Sequence, residues 1–160
     1  MTGSLRPATV RVLAAADELG LTLDIHEFPD GTKTSADAAA AVGCELSAIA
    51  KSLVFMVGEQ PVVAILAGDH RLDLAKLAGL MGGVTARRAT LEEARAATGF
   101  AAGGTPAFGY PRPLPVFLDS GLQRHDEVWS AAGTPTTVYP IPLSELVRVS
   151  GAHLADIAES

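Results

Sequence analysis

The sequence predicts an α+β domain built around a mixed β-sheet, and three observations carry that expectation. Dense apolar runs and period-two alternation mark several strands. Apolar residues at helical spacing, framed by capping signals, mark helices between them. The two kinds of element follow one another without the regular alternation of a doubly wound nucleotide-binding sheet. A chain of 160 residues has the usual size of one domain, so residues 1–160 are expected to form a single unit with no internal repeat or interdomain linker.

Taken in order, Pro7 to Leu19 predicts a first helix with Val10, Leu13, Ala14 and Ala16 on one face and Gly20 as its left-handed stop. Leu21, Leu23 and Ile25 alternate with Thr22, Asp24 and His26, the period of a half-buried strand. Thr34-Ser35-Ala36-Asp37 has the form of a capping box and opens an alanine-rich helix ending at Gly43, with a short helical turn from Leu46 to Ala50. The runs Ser52 to Val57 and Val62 to Ala67, separated by Gly58-Glu59-Gln60-Pro61, predict a central hairpin. Leu74, Leu77, Ala78 and Met81 recur at helical spacing until Gly82-Gly83, and Thr90-Leu91-Glu92-Glu93 caps another short helix ending near Gly99. Glycine and proline crowd the stretch from Gly99 to Pro115, which is expected to be a structured loop. Val116 to Asp119, Glu127 to Ser130 and Thr136 to Tyr139 read as strands, and Leu143 to Val147 as a last helix.

With 48% hydrophobic and 19% charged residues, the chain has enough apolar surface to offset the entropy of ordering its backbone. The net charge of -6 argues against wrapping duplex DNA, since such proteins replace phosphate counterions with a basic surface. It leaves room for a local basic patch on the end of a nucleic acid, with Arg71, Lys76, Arg87, Arg88, Arg112 and Arg124 as candidates. No apolar run approaches the roughly 20 residues that span a bilayer, and Met1 to Pro7 lacks the layout of a signal peptide. Cys44 is the single cysteine, which excludes an intrachain disulfide. A cytoplasmic location with no membrane partner is the expectation.

Several familiar chemistries are missing: there is no P-loop, dinucleotide fingerprint, nucleophile elbow or zinc-protease helix motif. His26, His70, His125 and His153 lie far apart without ligand-like spacing, so no metal is expected. Cys44 follows a helix stop and reads as a small buried hydrophobe rather than a nucleophile.

Lys51 is more informative because it opens an almost wholly apolar strand. Its ammonium either reaches solvent along the core's edge or meets a carbonyl, carboxylate or phosphate. Asp119 closes another apolar run before Ser120-Gly121 and reads either as a turn cap or as a site carboxylate. The loop Gly103-Gly104-Thr105-Pro106-Ala107-Phe108-Gly109 is open to two readings as well. It is a tight turn pinned by Pro106 and Phe108, or a cradle whose backbone N–H groups approach a ligand oxygen.

The ordered set Ala50-Lys51-Ser52-Leu53-Val54-Phe55, Gly68, Asp73 with Lys76-Leu77-Ala78, Thr98-Gly99-Phe100, Gly103 to Gly109, and Leu114-Pro115-Val116 with Asp119 resembles the YbaK/ProX family, over roughly Leu21 to Ile157. That resemblance implies a mixed sheet or partly closed barrel flanked by helices, similar to the editing domain of bacterial prolyl-tRNA synthetases. It implies a deacylase that hydrolyses the ester of mischarged tRNA in trans, commonly proline tRNA carrying a small wrong amino acid such as alanine or cysteine, without a cofactor. It places Lys51, Gly103 and Gly104 in the catalytic machinery and Thr105, Pro106, Phe108, Gly109 and Asp119 against the substrate, with the terminal ribose assisting its own hydrolysis. A synthetase such as prolyl-tRNA synthetase is an implied partner.

The chain departs from the family loop at Ala107, where a second proline is usual, which bears on the shape of the amino-acid pocket. Two other classes stay open at this level: a binding module of the same fold without catalysis, and an interaction protein whose partner is another protein.

Overall fold

Two apolar runs dictate the centre of the molecule, a computed structural model that describes residues 5–29, 31 and 34–160. β2 (Ile49–Val57) and β3 (Gln60–Ala67) form the expected hairpin, with antiparallel register from Ala50 opposite Ala67 to Val57 opposite Gln60. Both strands start earlier than their densest apolar stretch suggests. Lys51 therefore lies inside β2 as its third residue rather than opening it, directly opposite Leu66.

Around this hairpin the sheet order is β1 (His26–Glu27), β7 (Thr137–Pro142), β6 (Glu127–Ala131), β2, β3, β5 (Val116–Asp119) and β8 (His153–Ala155), with β4 (Ala86–Arg88) also beside β2. The β2–β6, β3–β5 and β5–β8 pairs are parallel and the others antiparallel, so the sheet is mixed, as the sequence predicts. β4 and β8 each have three residues, too few to display a period, and the sequence reading missed both.

Helices α1 (Pro7–Glu18), α2 (Ser35–Val42), α3 (Leu74–Leu80), α4 (Leu91–Thr98) and α5 (Leu143–Ser150) flank the sheet. Thr34 caps α2 by accepting from the Asp37 N–H, and Gly43 ends it at φ +76°. Thr90 and Glu93 form a full capping box on α4. No helix among the described residues is long and apolar enough to cross a membrane.

Two expectations need correction. α1 buries Thr9, Val12 and Ala16, whereas Val10 is exposed. The helix is turned toward a polar anchor, since Thr9 Oγ1 donates to the Ala132 carbonyl at 2.7 Å. Leu21, Leu23 and Ile25 pack against the core with Thr22 and Asp24 exposed, so the alternation is real, yet only His26–Glu27 is paired in a ladder. Period-two burial needs an apolar surface beneath it, not a neighbouring strand. Residues 1–4 of the stretch weighed for a signal peptide lie outside the described residues.

The sheet's two faces bury separate clusters. Ala50, Val54, Val63, Ile65 and Ala67 belong to one, with Phe108, Leu118 and Tyr139. Phe55, Leu66, Leu72 and Leu77 belong to the other, beneath α3. Alternation along β2 thus sends Lys51, Leu53 and Phe55 to one face and Ala50, Ser52 and Val54 to the other.

Candidate functional site

The site arises from a break in pairing along one edge of β2. On the β3 side the ladder is continuous. On the opposite side, pairing with β6 stops at Ala50, opposite Ser130, and pairing with β4 begins only at Phe55, opposite Arg88. Among the described residues no strand pairs with residues 51–53 along that edge, and the Val54 carbonyl accepts from the Ala89 N–H at 3.2 Å where β4 ends. A cavity of about 300 Å³ opens there, lined by Ile49 to Leu53, Arg88, Gly103, Thr105, Trp129 to Ala131 and the start of α2.

Lys51 stands at this gap half-buried, with no hydrogen bond or ion pair for its ammonium among the described residues. Burial pushes its pKa below the ordinary lysine value, and the positive charges of Arg88 and Arg71 push it the same way, while Asp69 and Asp119 oppose them. A desolvated cation beside two further cations is an arrangement that an anion would relieve.

The glycine-rich loop contributes Gly103 and Thr105 to the same lining. Gly104 is buried behind them, and its N–H donates to the Ala101 carbonyl at 3.2 Å. Thr105 Oγ1 donates to the same carbonyl at 3.4 Å. Of the Gly103 and Gly104 amides, only that of Gly103 lacks a hydrogen-bond acceptor among the described residues.

Pro106, Ala107 and Phe108 are buried and take no part in the cavity lining. The Tyr110 hydroxyl donates to the Pro106 carbonyl at 2.6 Å, and Phe108 meets Tyr139 edge to face with centroids 6.4 Å apart. Gly109 has φ +89° and lies against Ala15 of α1. These residues anchor the loop.

Asp119 also stands outside the lining, with its carboxylate fully engaged. Oδ1 accepts from the Gly121 N–H at 2.8 Å. Oδ2 accepts from the Ala67 N–H at 3.1 Å and lies 2.6 Å from His70 Nδ1.

Sequence reasoning did not name Ser52, Ser130, Arg88 or Trp129 as parts of a cavity. The hydroxyls of Ser52 and Ser130 are buried without hydrogen-bond partners, as is that of Tyr139. A buried hydroxyl left unpaired carries a cost that a ligand group could remove. Ser52 was recoverable as the neighbour of Lys51, whereas Ser130 and Trp129 reach the cavity only through the parallel β2–β6 pairing.

The basic residues sort clearly. Arg87 pairs with Glu93, Arg124 with Asp69 and Lys76 with Asp156, so their charges are locally compensated. Arg71, Arg88 and Arg112 have no carboxylate partner among the described residues, and Arg112 lies apart from the gap, beside Met56 and Pro61.

A family model for the aminoacyl-tRNA editing domain matches residues 29–149. A crystal structure of a protein proposed as a trans-editing enzyme for prolyl tRNA synthetase superposes with a TM-score of 0.93 at 42% identity, covering 98% of this chain and 100% of that one. The uncharacterized protein YwhH of Bacillus subtilis (strain 168) is 34% identical over 79% of this chain and 81% of its own length. EbsC of Enterococcus faecalis (strain ATCC 700802 / V583), proposed as a Cys-tRNA(Pro)/Cys-tRNA(Cys) deacylase, is 29% identical over 74% of this chain and 73% of its own.

Proposed function

The chain belongs to the aminoacyl-tRNA editing-domain family, and we propose that it is a deacylase that hydrolyses the ester joining a wrong amino acid to tRNA. One observation carries this reading: an unpaired, half-buried Lys51 and Gly103 of the glycine-rich loop line one cavity at a gap in the sheet. The names of EbsC and of the trans-editing structure support the same chemistry.

In the proposed reaction, water adds to the ester carbonyl and negative charge develops on the carbonyl oxygen. The Gly103 N–H stabilises that charge. The carbon–oxygen bond to the ribose then breaks, the ribose oxygen takes up a proton, and the free amino acid leaves. Lys51 holds the acceptor end, its positive charge directed at phosphate or at the loop carbonyls, and fixes the ester against the loop. Thr105 shapes the wall behind Gly103, while Pro106, Phe108 and Gly109 set the loop's position. Asp119 braces the end of β3 through Ala67, next to the segment carrying His70 and Arg71.

The expected substrate is proline tRNA carrying a small acyl group such as alanine or cysteine, acted on in trans beside a synthetase. The cavity of about 300 Å³ and the small side chains Ala50, Ser52 and Ala131 favour a compact acyl group. Synthetases need such a second sieve because one methylene gives them only about 1–3 kcal/mol of discrimination.

A panel of tRNAs, each charged with a single wrong amino acid, tests this function. Catalytic release of at least one amino acid supports it. Tight binding without release would mean a non-catalytic module of the same fold.

A further inference from the structure

A second cavity of about 310 Å³ lies against the first and shares Lys51, Leu53 and Arg88 with it. It occupies the sheet face that carries Lys51, Leu53 and Phe55, with Leu66 and Leu72 in its lining. Arg71 and Arg88 line it together with Lys51, and Glu159 is the single carboxylate in that lining. The Arg88 guanidinium lies 5.8 Å from the Phe55 ring centroid. Both arginines are exposed and lack a carboxylate partner, in a protein whose net charge is -6.

Three cations without an ion-pair partner among the described residues, against the one carboxylate of Glu159, over an apolar floor in an acidic chain, mark a place where positive charge is kept for a ligand. The two cavities differ in character. The first runs into the gap toward the buried, unpartnered hydroxyls of Ser52 and Ser130. The second is an open groove with an apolar floor and guanidinium groups, features that suit a nucleotide with its phosphate.

We infer that Arg71 and Arg88 clamp a phosphate of the 3′-terminal nucleotides of an RNA, which lies in the groove over Leu53, Phe55, Leu66 and Leu72 while its acyl group passes Lys51 into the gap beside Ser52. The inference rests on the deacylase reading and adds a direction of entry to it. Lys51 then sits at the junction of the two lobes, where nucleotide and acyl group are joined.

The test uses a 5′-fluorescein RNA minihelix ending in CCA, uncharged, with binding followed by anisotropy across a sodium chloride series. Arg71→Gln and Arg88→Gln are each expected to bind about ten-fold more weakly, the loss of one charge-assisted contact. Each is expected to lower the salt slope by about 0.7, the value for one phosphate contact to a single strand. Arg88→Lys, which keeps the charge and loses the planar fork, falls between wild type and Arg88→Gln. In turnover, the glutamine variants raise KM for alanyl-minihelix by a larger factor than for 3′-O-alanyl adenosine, which has no phosphate. Unaltered affinity and salt slope in both variants, or equal loss on the phosphate-free ester, would overturn the clamp. If wild type releases no amino acid from any member of the charged-tRNA panel, the deacylase reading fails, while the anisotropy still reports separately on the clamp.

Discussion

Gly104 packs against the backbone of Thr134 so closely that a β-carbon at Gly104 would stand 2.6 Å from the Thr134 Cα and 2.7 Å from its N and C atoms. Thr134 belongs to a segment that α1 holds in turn. Thr9 Oγ1 donates to the Ala132 carbonyl at 2.7 Å, and a β-carbon on Gly133 would lie 2.8 Å from the Ala8 carbonyl carbon. The loop that shares the cavity with Lys51 is therefore positioned by backbone-to-backbone contact that begins at the first helix.

Gly104→Ala should accordingly push the loop away from Thr134. The neighbouring atoms are backbone and cannot rotate aside, so we expect a loss of about 1–3 kcal/mol in stability, typical of overpacking. Urea denaturation measures it. Deacylation should fall in parallel, because Gly103 moves with its neighbour.

Lys51→Met separates function from stability. The charged ammonium is disfavoured in the fold by burial and by Arg88 and Arg71, so removing it relieves the native state. Thermal unfolding should show a melting temperature at or above that of wild type, together with loss of deacylation. A large drop in melting temperature would show that Lys51 supports the fold instead.

The same lysine sets a pH dependence. Its folded pKa lies below the ordinary value of 10.5, so its charge is lost at lower pH than in a free lysine. The charged form is needed to hold the acceptor end, so KM should rise as pH increases through that lowered pKa. Lys51→Arg, which stays charged, should move the alkaline limb to higher pH. A pH profile of kcat/KM measures both.

Asp119→Asn probes the buried acid. One carboxylate satisfies the Ala67 and Gly121 N–H groups and holds His70 at 2.6 Å. An amide cannot accept on both sides, and the unsatisfied donor should cost about 1–3 kcal/mol. The expected result is a lower urea midpoint with an unchanged KM. A raised KM in a fold as stable as wild type would instead put Asp119 against the substrate.

The frame of the molecule was legible where burial and periodicity coincide. The β2–β3 hairpin, the Thr90–Glu93 box and the glycine stops at Gly43 and Gly99 all occur where local rules put them. The active face of α1 was not legible, because Thr9 is buried by a hydrogen bond that a hydrophobic pattern cannot register. Of the cavity, Lys51, Gly103 and Thr105 were visible in sequence. Arg88 was visible only as one of six candidate basic residues, and Trp129 and Ser130 were not visible, since the gap between β6 and β4 exists only once distant strands choose their register on β2.

On the proposed function, this gap hydrolyses an aminoacyl ester held by Lys51. The most direct test of this is the kcat/KM of wild type and Lys51→Ala on proline tRNA charged with alanine or cysteine, followed by release of the labelled amino acid. Wild type should turn over at least one of them, and the variant should be slower by roughly 10²-fold or more, the scale of losing a group that positions and stabilises charge in the reacting complex. Equal rates for the two proteins, in a variant shown to be folded, would contradict it.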